Sequence, residues 1–242
     1  MFADFLTLFV AVFKSMMKKL VKYMLGILIP KRYIIWNGNR RTSKNIALTF
    51  DDGPNPLYTE KFIDMLQIYG VKATFFLSGN EIERYPELVR KLVKHGHLIG
   101  NHTYLHRDIS KIKTDEIKDE LQRTQSIIEK VIGLKPTMFR PPHGRIGIKG
   151  ILYCLKNKLR IIIWSLDSMD HHKKSVQSIL EFVNVNTVKP GDIILFHDDN
   201  DYTLEFLPML IENLKDEYEF VTIERMLMRR SLKGNKCLKE RK

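Results

Sequence analysis

The stretch Leu48–Pro54, LTFDDGP, decides the fold because it joins an apolar strand directly to two adjacent carboxylates and a Gly-Pro break. Asp, Gly and Pro all suit a turn at a strand end, so the stretch alone fits either a turn or a paired-carboxylate site. Two neighbouring carboxylates repel each other, however, and a simple turn needs only one of them. The residues that follow the other predicted strands therefore have to decide between the two interpretations.

The composition indicates one domain with an appendage and an anionic partner. The chain has 242 residues, of which 44% are hydrophobic, which is enough for one substantial core. Cys154 and Cys237 lie far apart, so they indicate neither a disulfide framework nor a thiolate metal site. The net charge of +12 favours phosphate, nucleic acid, anionic lipid or an anionic cell-wall polymer as partner. No nucleic acid is expected, because the sequence contains no zinc finger or RNP-like motif.

The two ends of the chain differ from its body, and we predict three segments: 1–36, the catalytic domain 37–228, and a basic tail 229–242 that is solvated. Apolar residues between Phe2 and Met24 recur at helical spacing opposite several lysines, which is typical of a basic amphipathic helix on a membrane surface. Residues 17–30 also resemble parts of a signal peptide, although no clear cleavage site follows. A helix packed on the domain is the third alternative for residues 1–30.

The body of the chain alternates between strand and helix patterns. Seven strands are predicted at 45–50, 73–77, 98–101, 138–140, 160–165, 192–197 and 219–223. Six helices are predicted at 58–69, 86–94, 114–132, 149–157, 175–187 and 203–215. This alternation implies parallel strands covered by helices, in a barrel or near-barrel. A dinucleotide fold has no support, since no Gly-x-Gly-x-x-Gly follows the first strand.

Ionisable residues follow five of the seven predicted strands, and in a parallel barrel these strand ends meet at one edge. The segments are Asp51–Asp52, Asn101–His106, Arg140–Gly144, Asp167–His172 and His197–Asp198. His102 and His106 would share one face of a helical turn, although an HxxxH pair alone is weak support for a metal site. Together with one Asp from the same edge, they would leave open positions on zinc or a similar divalent ion, as catalytic sites do.

Five ordered motifs, TFDDGP, HTYLH, RPPHG, WSLDSMD and LFHD, resemble the polysaccharide deacetylases of carbohydrate esterase family four. The resemblance covers roughly residues 44–227. It implies an α/β fold, a distorted (β/α)7 barrel with parallel strands, in agreement with the seven strands counted independently. It also implies a metal-dependent hydrolase that removes N-acetyl groups from N-acetylhexosamine residues of a polysaccharide or oligosaccharide, with zinc as the preferred metal.

The resemblance assigns separate roles to the two aspartates of the opening motif. Asp52, His102 and His106 would bind the metal ion, and Asp51 would be the general base. Arg140 would orient and hold Asp51. The cation would offset the repulsion between the two carboxylates and lower the pKa of water, so that a carboxylate can take its proton near neutral pH.

The remaining roles concern the leaving amine and the substrate. By the same resemblance His197 would be the general acid, and Asp170 would orient it, with Asp167 as a weaker claimant in the same loop. The backbone N–H of His143 would donate to the oxyanion. The side chain of Leu195 would line the pocket for the acetyl methyl group.

Two residues depart from the usual family pattern. His143 stands where the family often has Tyr, and His171 stands where it usually has Trp. The backbone role of His143 survives this change, whereas His171 changes the wall of the pocket. His95, His97 and His172 belong to no motif and are expected to be structural or solvent-facing.

The expected substrate is a cell-envelope glycan, and the expected location is the cell envelope, with the chain membrane-associated or secreted; the cytoplasmic face of the membrane remains an alternative. Deacylation or deformylation of a lipid-linked sugar is the first alternative function, and it would suit the apolar N-terminal segment. A non-catalytic carbohydrate-binding relic is the second. The full set of base, acid, arginine and ligands argues against a relic.

Overall fold

The computed structural model describes residues 33–40, 44–172 and 175–228. In this part of the chain, nine strands form one sheet in the order β1-β6-β5-β4-β3-β2-β8-β7, and β9 also pairs with β2. All of these strand pairs are parallel. The strands are β1 (Ile34–Ile35), β2 (Asn45–Asp51), β3 (Thr74–Leu77), β4 (Leu98–Asn101), β5 (Met138–Phe139), β6 (Arg160–Ile162), β7 (Leu166–Asp167), β8 (Ile193–His197) and β9 (Glu219–Phe220).

The sheet curls so that its two ends approach each other. An isolated antiparallel bridge joins Asn37, which follows β1, to Asp192, which precedes β8. Next to it, the backbone N–H of Gly38 donates to the carbonyl of Gly191 over 2.7 Å. The curled parallel sheet with its helices confirms the predicted distorted (β/α) barrel.

Eight α-helices connect the strands within the described residues. They are α1 (Thr59–Ile68), α2 (Gly79–Arg84), α3 (Pro86–Lys94), α4 (Thr114–Ile132), α5 (Ile148–Lys156), α6 (Val176–Leu180), α7 (Asp201–Leu214) and α8 (Ile223–Leu227). The predicted bounds of α3 and α4 are correct. Gly133 ends α4 in the left-handed conformation, with φ 72°, which a residue without Cβ adopts at little cost.

Three predicted elements were wrong in extent. The helix predicted at 175–187 is only the short α6. Beyond it, the side chains of Asn184 and Thr187 accept hydrogen bonds from nearby backbone N–H groups, which favours a turn over a helix. The strand predicted at 160–165 ends at Ile162, and the chain then leaves β6 to form β7 beside β8. The last predicted strand, at 219–223, is the two-residue β9, which leads into α8.

The central strand β2 shows how the sheet positions the site. Leu48 and Phe50 are fully buried in the largest apolar cluster, and the ring of Phe50 stacks on that of Phe75 at 4.7 Å. Because side chains alternate along a strand, Thr49 and Asp51 point to the opposite face. The same alternation that builds the core therefore turns Asp51 toward the interior of the curled sheet.

The segments predicted at the two ends of the chain lie largely outside the described residues. The helix predicted within residues 1–30 and the basic tail 229–242 are not among them, and neither is the predicted membrane contact. The first described strand, β1, precedes residue 37 and pairs with β6, while the limits 37–228 of the catalytic domain stay a prediction. Searching the described ranges alone, we find no helix with the length and apolar character needed to cross a bilayer.

Candidate active site

The carboxyl ends of the parallel strands bring the predicted residues to one edge of the sheet. β2 and β8 are neighbours, and their register places Asp51 directly beside His197. On the other side, β3 and β4 pair Leu77 with Asn101, and Asn101 pairs with Phe139 of β5. His102 follows β4 and Arg140 follows β5. The pairing of these strands therefore explains why motifs that are distant in sequence meet in the fold.

Asp52, His102 and His106 converge on one point. The Oδ1 atom of Asp52 lies 3.2 Å from Nε2 of His102 and 3.1 Å from Nε2 of His106. This oxygen is buried and, among the described residues, has no hydrogen-bond partner of acceptable geometry. One carboxylate oxygen and two imidazole nitrogens in this arrangement are ligands that zinc and similar divalent ions accept, so these residues fit the implied metal.

The electrostatics of this group also favour a cation. Burial alone would raise the pKa of Asp52, but contact with His102 and the charges of His102, His106 and His197 hold it well below its usual range. Burial lowers the pKa of His106, which favours the neutral imidazole that binds metals. Burial would also lower the pKa of His102, but the charges of Asp51 and Asp52 together raise it above its ordinary value.

The Gly-Pro break after the two aspartates has a steric reason. Asp52 has φ 74°, and a Cβ atom at Gly53 would lie 2.6 Å from Oδ1 of Asp198, so only glycine fits there. Asp198 is fully buried and accepts a hydrogen bond from the hydroxyl of Thr59. Burial raises its pKa to about 8, so below that pH its carboxyl is neutral. The sequence LTFDDGP therefore forms both a tight turn and part of the candidate active site.

The two histidine ligands lie on a loop, which corrects the helical turn considered for the HxxxH spacing. Thr103 and His106 have φ values of 69° and 54°, and no helix covers this segment. The buried carboxylate of Glu120 on α4 holds the loop, since its Oε2 accepts from the backbone N–H groups of Tyr104 and Leu105, both at 2.8 Å. These hydrogen bonds, rather than a helical turn, bring the imidazoles together.

Glu120 was missed from the sequence, although a signal for it exists. It lies on the buried face of α4, between Ile117 and Leu121, which are both buried. A carboxylate on the apolar face of an amphipathic helix is rarely left without partners. Glu120 at this position therefore indicates that the helix binds a neighbouring segment through its carboxylate.

A second hydrogen bond fixes the orientation of His102. Its Nδ1 lies 2.8 Å from the backbone carbonyl of Arg140, which can only accept, so Nδ1 carries the proton. The lone pair of the neutral ring is then on Nε2, the atom that faces Asp52. Such a bond to the far nitrogen is the usual support of a metal-binding histidine.

Arg140 holds Asp51 from inside the curled sheet. Its Nη1 donates to Oδ1 of Asp51 over 2.7 Å and to the hydroxyl of Thr49 over 2.8 Å. The guanidinium is fully buried, with its carbon 4.3 Å from the centre of the Phe76 ring. Burial lowers the pKa of Arg140, and the charge of Asp51 opposes this effect. The hydrogen bond from Arg140 therefore holds the carboxyl group of Asp51 in one orientation at the edge of the sheet.

His197 is paired with Asp170, as expected. The Nδ1 atom of His197 lies 2.8 Å from Oδ1 of Asp170, and its backbone N–H donates to Oδ2 over 2.7 Å. The hydroxyl of Thr203 donates to the same Oδ2 over 3.0 Å. Burial alone would lower the pKa of His197, but the hydrogen bond to Asp170 and the charges of Asp170, Asp51 and Asp52 raise it to about 10. By contrast, Asp167 is partly exposed and accepts from the backbone N–H of Met169.

The remaining site candidates line the edge of this group. His143 lies in a 3-10 turn with φ 57°, and its exposed ring is 4.9 Å from that of His106. Leu195 is buried on β8, two residues before His197 and therefore on the same face. His171 is exposed, with its ring 5.0 Å from that of His197. The contacts of His143 and Leu195 with substrate stay predictions.

The fold brings the predicted base, acid and metal-binding residues together at the carboxyl edge of a parallel barrel, an arrangement typical of a hydrolase. The sequence profile of the family described as polysaccharide deacetylase matches residues 38–156. A peptidoglycan-N-acetylglucosamine deacetylase of Bacillus cereus is 35% identical over 204 residues, which cover 82% of this chain and 94% of the relative. The chain therefore belongs to the polysaccharide deacetylases, and the predicted enzyme class, a polysaccharide N-deacetylase, is confirmed.

Solved structures of the same family agree with the fold. The crystal structure of the Bc1960 peptidoglycan N-acetylglucosamine deacetylase matches with a TM-score of 0.78 at 33% identity, covering 81% of this chain and 94% of that one. BA3943 of Bacillus anthracis, described as a CE4 family pseudoenzyme, matches with a TM-score of 0.75 at 28% identity, covering 81% of this chain and 69% of that one. Similarity of fold alone therefore does not decide between an enzyme and a relic.

Proposed function

We propose that this protein removes N-acetyl groups from N-acetylhexosamine residues of a cell-wall glycan, with peptidoglycan as the substrate class that the relatives support. One observation carries the proposal: Asp51, held by Arg140, lies beside His197, held by Asp170, and the candidate metal-binding group comes within 3.8 Å of Asp51 and 3.9 Å of His197. Amide hydrolysis needs a base for the attacking water and an acid for the leaving amine.

Asp52, His102 and His106 would hold a divalent cation, and zinc is preferred because it accepts imidazole nitrogen and carboxylate oxygen in such sites. A divalent cation supplies Lewis-acid chemistry, which polarises a carbonyl oxygen and lowers the pKa of water. The bond from His102 to the carbonyl of Arg140 keeps Nε2 free for this purpose. Glu120 keeps the ligand loop in place through two backbone N–H groups.

Asp51 would take the proton of the water that attacks the acetamide carbonyl. Its Oδ1 is occupied by Arg140, which leaves Oδ2 to accept; Oδ2 lies 3.8 Å from Nε2 of His102, at the edge of the ligand group. The hydrogen bond from Arg140 restrains rotation of the carboxylate. The backbone N–H of His143 would donate to the oxyanion as the tetrahedral centre forms, and Leu195 would contact the acetyl methyl.

His197 would protonate the departing amine. Its pKa of about 10 keeps the imidazole protonated at pH 7, and Asp170 fixes the ring through Nδ1, so Nε2 carries the proton that leaves. Nε2 lies 3.9 Å from Oδ2 of Asp52, on the side of the ligand group. The positions of Asp51 and His197 on two adjacent strands would let base and acid act on the same substrate amide.

We further propose that the protein acts in the cell envelope, because its relatives include a peptidoglycan-N-acetylglucosamine deacetylase. The predicted basic amphipathic segment 1–30 would bring it to a membrane surface.

Acetate release from N-acetylglucosamine oligomers and from peptidoglycan tests the proposal. The full chain is assayed with added zinc, with a chelator, and as the Asp51→Asn variant. Loss of acetate release both with the chelator and in Asp51→Asn supports a metal-dependent deacetylase. If the zinc-loaded chain binds the metal but releases no acetate from either glycan, lipid-linked sugars become the next substrates. If it binds glycan and no metal, the relic is the better explanation and the proposal fails.

A further inference from the structure

A second group of ligand-type residues lies beside the first. Asp170, His171 and His197 each offer one ligand atom, and these atoms lie within 4.8 Å of one another. His171 is exposed, so this group is open to solvent on one side, whereas Asp170 and His197 are buried. Two imidazoles and a carboxylate are the same donor types that the first group presents.

We propose that Asp170, His171 and His197 form a second, weaker zinc subsite, and that a cation bound there inhibits deacetylation. This inference rests on the proposed function, because the inhibition acts through the acid role of His197. The subsite itself is a matter of binding and can be tested without any substrate.

The subsite depends on His171, because Asp170 and His197 alone offer only two ligand atoms. The imidazole of His171 offers a nitrogen lone pair to a cation, and its ring lies 5.0 Å from that of His197. His171 therefore supplies the third ligand of the group.

The local charge supports a cation at this place. The carboxylates of Asp167 and Asp170 act on His171, against the charges of His197 and His172, and those of Asp51 and Asp52 act on His197. Four carboxylates thus act on the two imidazoles, and Arg140 is already paired with one of them, Asp51.

The second subsite should be the weaker one, because its ligands already have partners. Oδ2 of Asp170 accepts from the backbone N–H of His197 and from the hydroxyl of Thr203, and Oδ1 accepts from Nδ1 of His197. A cation must compete with the last of these bonds. In the first group, by contrast, Oδ1 of Asp52 has no hydrogen-bond partner among the described residues.

Inhibition follows from the two nitrogens of one imidazole ring. A cation on either nitrogen of His197 replaces one of the two protons of the imidazolium, and that proton leaves to solvent. If the cation takes Nε2, the proton for the amine is lost. If it takes Nδ1, the bond to Asp170 that supports the charged ring is lost. In either case His197 can no longer act as a protonated acid held by Asp170.

Calorimetric zinc titration of the metal-free full chain tests the subsite, with His171→Asn and His172→Asn as a matched pair. His172 is the neighbouring exposed histidine, with its ring 3.9 Å from that of His171, but it is not one of the three ligands. We expect about two zinc ions per chain, bound with different affinities, and loss of the weaker one only in His171→Asn. A single class of site in the wild type, or equal loss in both variants, would overturn the assignment.

The rate of acetate release, measured at increasing zinc concentrations, tests the proposed inhibition. We expect the rate to rise as the first ion binds and then to fall about tenfold or more as the second binds, because a general acid contributes at least that much. The fall should be absent in His171→Asn and present in His172→Asn. Two bound ions without a fall would refute the inhibition, whereas two bound ions with no acetate at any zinc concentration would instead count against the proposed function.

Discussion

Asp51 and His197 occupy the same register position on adjacent parallel strands, with the carboxylate held by Arg140 and the imidazole held by Asp170. No loop has to close to bring these two groups together, because the pairing of β2 with β8 already does so. Strand pairing and these two hydrogen bonds therefore fix the relative positions of the acid and the base of the proposed reaction. The predictions below separate their roles.

Replacing Asp51 by Asn should reduce kcat by roughly 100- to 10,000-fold, the range that a positioned general base contributes. The amide cannot accept the proton of the attacking water, while its oxygen can still accept from Arg140, so the fold should be retained. Acetate release at saturating substrate measures the loss, and zinc calorimetry checks that the metal still binds. Asp201→Asn, at an exposed carboxylate on α7, is the control and should keep full activity. Equal zinc affinity with unchanged kcat would show that Asp51 is not the base.

Replacing Asp170 by Asn should move the alkaline limb of the pH–rate profile to lower pH. Burial works against the charged form of His197, and Asp170 is the main group that raises its pKa to about 10. Activity needs the protonated acid and is lost as pH rises through that pKa, so a lower pKa means loss at lower pH. We expect a shift of about 1–3 units in the kcat/KM profile, the usual effect of one neighbouring charge.

Thr203→Val is a milder change to the same pair and is compared with Asp170→Asn. It removes one hydrogen bond to Asp170 but leaves the carboxylate charge, so the shift of the alkaline limb should be smaller. An alkaline limb that stays in place in Asp170→Asn would mean that another group donates the proton.

Replacing Glu120 by Ala should weaken zinc binding by roughly 10- to 100-fold, as the loss of outer support usually does at metal sites. The two backbone N–H groups between His102 and His106 would lose their acceptor, and the loop that carries both imidazoles would relax. Calorimetry of zinc binding is the measurement. Asp119→Asn, one residue earlier on the exposed face of the same helix, is the matched control. Unaltered zinc affinity in Glu120→Ala would show that the loop holds its shape without this carboxylate.

His97 should make the stability of the fold depend on pH in the acid range. It is buried, its Nδ1 accepts from the backbone N–H of Ala73 over 3.2 Å, and burial lowers its pKa to about 4. The unfolded chain binds the proton near pH 6.5 and the folded chain only near pH 4, so stability is full above pH 6.5 and falls as the pH drops between these values.

The effect has an upper limit of about 3 kcal/mol, since each pKa unit corresponds to about 1.4 kcal/mol. Urea unfolding at a series of pH values measures it, with the pH dependence of His97→Gln subtracted from that of the wild type. His95→Gln, at the neighbouring and less buried histidine, is the control. Identical pH dependence of wild type and His97→Gln would exclude this histidine as the source.

The sequence predicts the parts of the fold that local chemistry determines. Helix α4 was placed correctly because a run of helical spacing ends at Gly133, which takes a left-handed conformation. Strand β2 was placed correctly because residues 46–50 are apolar except for Thr49 and lead directly into Asp51. Elements of two residues, such as β1 and β7, carry no periodicity and exist only because neighbouring strands complete their hydrogen bonds. No local pattern could predict them.

The same distinction holds for the site. The residues that follow the strands could be identified, since all carboxyl ends of a parallel sheet lie on one edge. The contacts that hold those residues come from elsewhere in the chain, as with Glu120 for the histidine loop and Thr203 for Asp170. Such partners depend on tertiary packing, which spacing does not encode. For that reason the HxxxH pair suggested a helical turn where the structure has a loop.

The pairing of β2 with β8 also sets the order in which the molecule can assemble. The hydroxyl of Thr49 donates to the carbonyl of Ile194 across 145 residues of chain, so this seam closes one of the longest loops in the fold. Long-range closure is entropically costly and slow. Asp52, His102 and His106 lie within the first half of the domain and need no such closure. A chain emerging from the ribosome would thus present its metal ligands well before its acid arrives, and the ability to bind a cation should precede the ability to cleave an amide.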